Sequence, residues 1–190
     1  MYVQGKGFVY TQPLFDTIHI AAGAPALAAQ FFTVPVGGVI GAGVKNFSHT
    51  NMIQAGRLET GNELKVNALS FYFQNNISAG AIPTVADMKA VCQGNIRWLV
   101  GGSTEILKIP VIMIPNGGAS FVHMSNIAAA VTEFNLTNGV SAVQNRYYLD
   151  EPYVIKANEA IEVWLENMGT VVAATRVTMV LHGTAIRPLR

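Results

Sequence analysis

Charge is what this chain has least of. Among its 190 residues, Lys and Arg number 12 and Asp and Glu 11, so charged side chains make up 12% and the net charge is +1. Globular domains usually carry about 25%. Spread over the roughly 8,800 Å² expected of a folded monomer of this mass, that is about one formal charge per ~380 Å². A surface so sparsely charged and so near neutrality favours association, and it predicts an obligate oligomer or lattice subunit. Cysteine is nearly missing too. Cys92 stands alone, which excludes an intrachain disulfide framework and a thiolate zinc site. Between Val91 and Gln93 it reads as a small buried hydrophobe. A hydrophobic content of 51% excludes a disordered chain.

Basic residues are scarce where a genome-binding arm would need them. Residues 1–44 hold one base, Lys6, and one acid, Asp16. Phosphate neutralisation drives that kind of affinity, and Arg187 with Arg190 is too small a cluster to supply it. No direct nucleic-acid contact is expected. Thr17–Val44 and Ile109–Thr132 contain no charge at all. Both are broken by glycine and proline, the first by Gly23, Pro25, Pro35, Gly37, Gly38, Gly41 and Gly43, so neither reads as a transmembrane helix. The start, Met1-Tyr-Val-Gln-Gly-Lys-Gly7, lacks the basic and apolar regions of a signal peptide.

Catalytic signatures are also lacking. His19, His49, His123 and His182 are far apart in sequence, so no strand offers a His-x-His pair to a cupin-type metal centre. There is no Gly-x-Ser-x-Gly. The glycine-rich Gly37–Gly43 lacks the Gly-Lys-Ser/Thr ending of a phosphate loop and no helix pattern follows it. Glu162 and Glu166 read as a solvated strand face, and Asp150-Glu151 as a turn before Pro152. No catalytic, metal or cofactor-binding residue is assigned, and chelators are expected to leave stability unchanged.

What is present is strand signal. Phe31–Val34 is a short aromatic and β-branched run. Leu64 and Val66 alternate onto one face, then the pattern slips by one through Leu69, Phe71 and Phe73, predicting a bulge near Ala68. Ile96–Val100 and Glu105–Ile109 flank Gly101-Gly102-Ser103-Thr104, a hairpin turn. Asn116-Gly117 and Asn138-Gly139 are further turn signals. Tyr153–Lys156, a turn at Ala157-Asn-Glu159, the alternating Ile161–Glu166 and the alternating Arg176–His182 complete the pattern. Thr84 as N-cap, Asp87 at the third position, and Val85, Met88, Val91 and Cys92 on one stripe predict a single helix over about 84–93, ended by Gly94. About eight strands with no crossover helices predict an all-β fold: an antiparallel jelly roll or β-sandwich. Residues 1–30 form an N-terminal arm or first strand, and 31–190 a single jelly-roll domain.

Four segments carry a resemblance: Phe31-Phe-Thr-Val-Pro35, Thr50–Leu58 with Thr60-Gly-Asn62, Pro152–Val163 and Val180–Pro188. Together they resemble small jelly-roll structural proteins of bacteriophage virions, with Pro152–Val163 resembling the paired strands of capsid and cement proteins. The resemblance implies a non-enzymatic capsid cement, decoration or outer-shell subunit, located in the virion and contacting other capsid proteins. The alternatives are a jelly-roll major capsid protein and, from other classes, a glycan-binding tail or spike module or a cupin-like enzyme. Tyr147 and Tyr148 are the aromatics that a glycan reading would use. For subunit contact, the segment Thr17–Val44 is too rich in Gly and Pro for a regular core element and too apolar for a solvated loop. Phe31, Phe32, Val34, Val36 and Ile40 are the interface candidates, with the two phenylalanines as anchors. The small residues of Ala21–Ala26 and Ala128–Ala130 allow close approach between neighbours.

Overall fold

Alternating apolar sequence becomes strand over most of the chain. The computed structural model describes residues 2–3, 7–23, 28–74, 85–114, 121–127, 131–137 and 146–187. In chain order the elements are β1 (Tyr2–Val3), β2 (Gly7–Thr11), β3 (Leu14–Ile20), β4 (Ala29–Phe31), β5 (Val39–Ile40), β6 (Gly43–Val44), β7 (Glu63–Gln74), α1 (Val85–Cys92), β8 (Asn95–Val100) and β9 (Thr104–Pro110). A 3-10 turn (Val111–Met113), β10 (Phe121–Ile127), β11 (Val131–Thr137), β12 (Tyr147–Ile155), β13 (Ile161–Glu166) and β14 (Thr175–Arg187) follow. The result is an antiparallel β-sandwich with one short helix, as the sequence predicts. Thr84, both Asn-Gly turns and Ala128–Ala130 lie outside the described residues, as do the side chains of Met88 and His123.

Strand β14 is the spine of the larger sheet, whose order is β1-β2-β14-β7-β12 with β3 also on β14. One edge of β14 pairs β7, and the other pairs first β3 and then β2. The register is continuous across that change, Leu181 facing Leu14 and Thr184 facing Thr11. Pro13 has no N–H to give the ladder, so it interrupts the strand without shifting it.

The predicted bulge is real. His182 faces Ala68 and Gly183 faces Val66, which leaves Asn67 as the extra residue. A Cβ on Gly183 would sit 2.1 Å from the Lys65 carbonyl oxygen, so only glycine fits opposite the bulge. At the same level β12 loops out: Tyr148 pairs Ala68, and the next pair is Tyr153 with Val66. Asp150-Glu151 therefore sits in that bulge, just before Pro152. Bulges at one height in neighbouring strands curl the sheet.

The smaller sheet runs β4-β13-β8-β9. Its hairpin turns on Gly101 and Gly102, both at positive φ (64° and 79°). Ile161, Val163 and Leu165 alternate inward, and all three are fully buried. The turn at Lys156–Glu159 does not join paired strands. It carries the chain from β12 in one sheet to β13 in the other, so the resemblance of Pro152–Val163 to a strand pair is corrected to a sheet-to-sheet crossing.

Aromatic rings stitch the layers together. Phe31 on β4 meets Phe71 on β7 edge to face at 6.3 Å, and Trp98 on β8 meets Tyr153 on β12 at 5.9 Å. Helix α1 closes one region through Asp87, fully buried, whose Oδ1 accepts the Val172 and Ala173 N–H groups at 2.5 and 3.2 Å.

Candidate interaction surface

Strand β3 carries Asp16 on its inward face, between Leu14 and Ile18. An acid there is costly unless paired, and it is paired. Lys45 Nζ donates to Oδ1 at 2.6 Å, and the Phe32 N–H donates to Oδ2 at 2.6 Å. Both charged side chains are essentially without solvent exposure. Burial pushes the Asp16 carboxyl above its ordinary range, while Lys45, the Phe32 N–H and Thr50 pull it back. The pair ties an irregular stretch, residues 32–58, to the sandwich.

Other bonds complete the clamp. Thr50 bridges Asp16 along the open edge of β3, and its Oγ1 donates to the Phe15 carbonyl at 3.0 Å. Asn51 accepts the Phe15 N–H at 3.0 Å and donates to the Pro13 carbonyl at 2.7 Å, standing in for a partner strand. Within the stretch, Val36 N–H reaches Met52, Gly37 N–H reaches Lys45, and Lys45 N–H returns to Gly38, each onto a carbonyl. Buried irregular backbone needs such partners, and here the chain supplies them itself.

This corrects the anchor assignment. Phe31 and Phe32 have no exposed surface and belong to the chain's own core. In a regular strand consecutive side chains point to opposite faces. Phe32 escapes that rule with a left-handed φ of 65°, a conformation costing a bulky residue roughly 1–2 kcal/mol. The Asp16 carboxylate on its N–H and the burial of its ring hold it there. Ile40 is likewise buried, whereas Val34 and Val36 are half-buried. Nor is Thr17–Val44 devoid of regular core structure, because it contains the end of β3 and all of β4.

What the clamp presents outward is a different set of side chains. Val39, Val44, Phe47 and Ile53 are 70%, 60%, 68% and 54% exposed. Phe47 and Ile53 also line a cleft of about 270 Å³ with Tyr10, Leu58, Arg57 and Arg187. Val34 and Ile40 line a second one, about 280 Å³, beside His19 and Lys45. Sequence reasoning missed both the clamp and these exposed residues. The available signal was that Asp16 and Lys45 immediately bracket the charge-free run 17–44.

Elsewhere the described residues offer little chemistry. Ser70 Oγ and His182 Nε2 lie 2.7 Å apart, and Ser70 is fully buried. Burial, with help from Arg146, lowers the His182 imidazole to about 4. Among the described residues no group of three or more His, Cys, Asp or Glu side chains is placed to hold a metal ion. No described helix is long and apolar enough to cross a membrane. Cys92 is half-buried, and burial pushes its thiol up. No protein-family model, curated protein or solved structure matches the chain.

Proposed function

We propose that this chain is a non-enzymatic structural subunit that works through contacts with copies of itself and with other shell proteins. In that reading it is a cement, decoration or outer-shell protein of a bacteriophage virion. One observation carries the contact reading: an irregular stretch, pinned by a buried ion pair, holds four large apolar side chains out to solvent. Val39 stands opposite Val44 on one hairpin and Phe47 joins Ile53 at one cleft, and exposed apolar side chains grouped in this way mark an interaction site. Pre-ordering the stretch lowers the entropy lost when a neighbour covers it. The low charge density of the whole chain supports the same reading. The virion assignment adds only the resemblance of Phe31–Pro35, Thr50–Leu58, Pro152–Val163 and Val180–Pro188.

Negative-stain images of the purified protein, and of virions stripped of it, test the proposal. Small soluble oligomers, with stripped shells intact but weaker, are expected. Closed shells formed by the protein alone would reassign it as a major capsid protein. A dispersed monomer with no place on the virion would overturn the proposal.

A further inference from the structure

Arg176, half-buried on β14, stands directly opposite His19 in the β3 ladder. Among the described residues it forms no ion pair, and its Nε is buried without a partner. Its Nη1 meets His49 Nε2 at 3.3 Å. The other ring nitrogen of His49, Nδ1, faces the Asn46 N–H, also at 3.3 Å. Both neighbours are donors, so each contact requires an unprotonated imidazole nitrogen. A neutral ring satisfies one of them; an imidazolium satisfies neither and adds a cation beside the guanidinium.

The second imidazole is placed similarly. The His19 ring packs on Gly41, where a Cβ would lie 3.1 Å from it, and its Nδ1 is buried with no partner. Gly41 sits in the tight turn between β5 and β6, at φ 57°. The two histidines therefore contact the hairpin of β5 and β6 and the turn at 46–50, which together display Val39, Val44 and Phe47. The charges facing them are Arg176 from β14, Lys45 from the clamped stretch and Asp16 from β3, the last already engaged by Lys45.

We infer that His19 and His49 form an acid-released latch, whose protonation frees the β5–β6 hairpin (residues 39–44) and the turn at 46–49 from the sheet, while Lys45 stays paired with Asp16 and the sandwich stays folded. Burial and Arg176 hold both imidazoles below their ordinary value, and at His49 Lys45 adds to this while Asp16 opposes it. The latch needs no assumption about assembly. Its effect on assembly rests on the contact reading above.

Hydrogen exchange, corrected for the intrinsic pH dependence, tests the latch when followed from pH about 7.5 to about 5, a range above the titration of His182. Protection over 39–44 and 46–49 is expected to fall about tenfold or more, with β7 and β14 unchanged. In His19→Gln/His49→Gln that pH response should disappear. Unchanged protection over 39–44 and 46–49, a response retained in the double variant, or simultaneous loss of protection in β7 and β14 would each overturn the latch. Sedimentation at the same two pH values reads the other question separately. Released exchange with an unchanged oligomer keeps the latch and counts against contact at that face.

Discussion

The sandwich and the clamped stretch 32–58 lie side by side but are held by different physics. In the sandwich, apolar side chains alternate inward and the ladder satisfies the backbone, so burial of Ile161, Val163, Leu165, Val177, Met179 and Leu181 suffices. In the stretch, few side chains reach the core, and polar groups do the holding: Asp16 with Lys45, Thr50 and Asn51 along β3. The first design tolerates apolar exchange and depends on volume. The second depends on pairs, and it leaves apolar side chains on the outside.

The contrast is sharpest where one residue is removed. Phe31→Ala should cost about 3–5 kcal/mol in denaturant unfolding, and Phe32→Asp should yield unfolded, insoluble protein. Lys45→Met should cost a comparable 3–5 kcal/mol, since Asp16 would be left charged and buried. The two classes differ in rescue. Asp16→Asn added to Lys45→Met removes the stranded charge and keeps an acceptor for the Phe32 N–H, so it should recover most of the loss; the core truncation has no such partner. A double variant no better than Lys45→Met alone would show that the ion pair is not what holds the stretch.

Acid gives a smaller effect that separates the regions again. His182 sits on the sheet with its folded value near 4, against 6.5 for an ordinary histidine. The unfolded chain therefore binds that proton first, and stability is fully present above about pH 6.5 and lost as pH falls toward 4. The drop in urea midpoint between those limits should be shallower in His182→Gln. The raised Asp16 works with the opposite sign, its folded state favouring the proton. An unchanged slope in His182→Gln would place the acid response elsewhere.

The sequence made the sandwich legible for a physical reason: period-two burial leaves a pattern. The slip between Val66 and Leu69 located the bulge at Asn67, and the paired glycines located the β8–β9 turn. Strand β3 was harder to see, because Asp16 occupies an inward position and breaks the alternation. Phe31-Phe32 misled because the left-handed φ of Phe32 lets both rings enter the core, and nothing in a Phe-Phe pair announces it. The clamp joins residues far apart in the chain, so no local spacing reveals it. Once Asp16 and Lys45 are paired, the charge-free run between them reads as a segment they close, with Val39 and Val44 left outside.

Sedimentation equilibrium on the wild-type protein and Phe47→Asp, at micromolar concentration and neutral pH, bears hardest on the role of that outer face. Phe47 is 68% exposed, so the change should leave the circular dichroism spectrum and melting temperature intact. The expected result is an oligomer for the wild type and a folded, soluble monomer for Phe47→Asp. A compact wild-type monomer, or a Phe47→Asp protein that assembles as the wild type does, would contradict it.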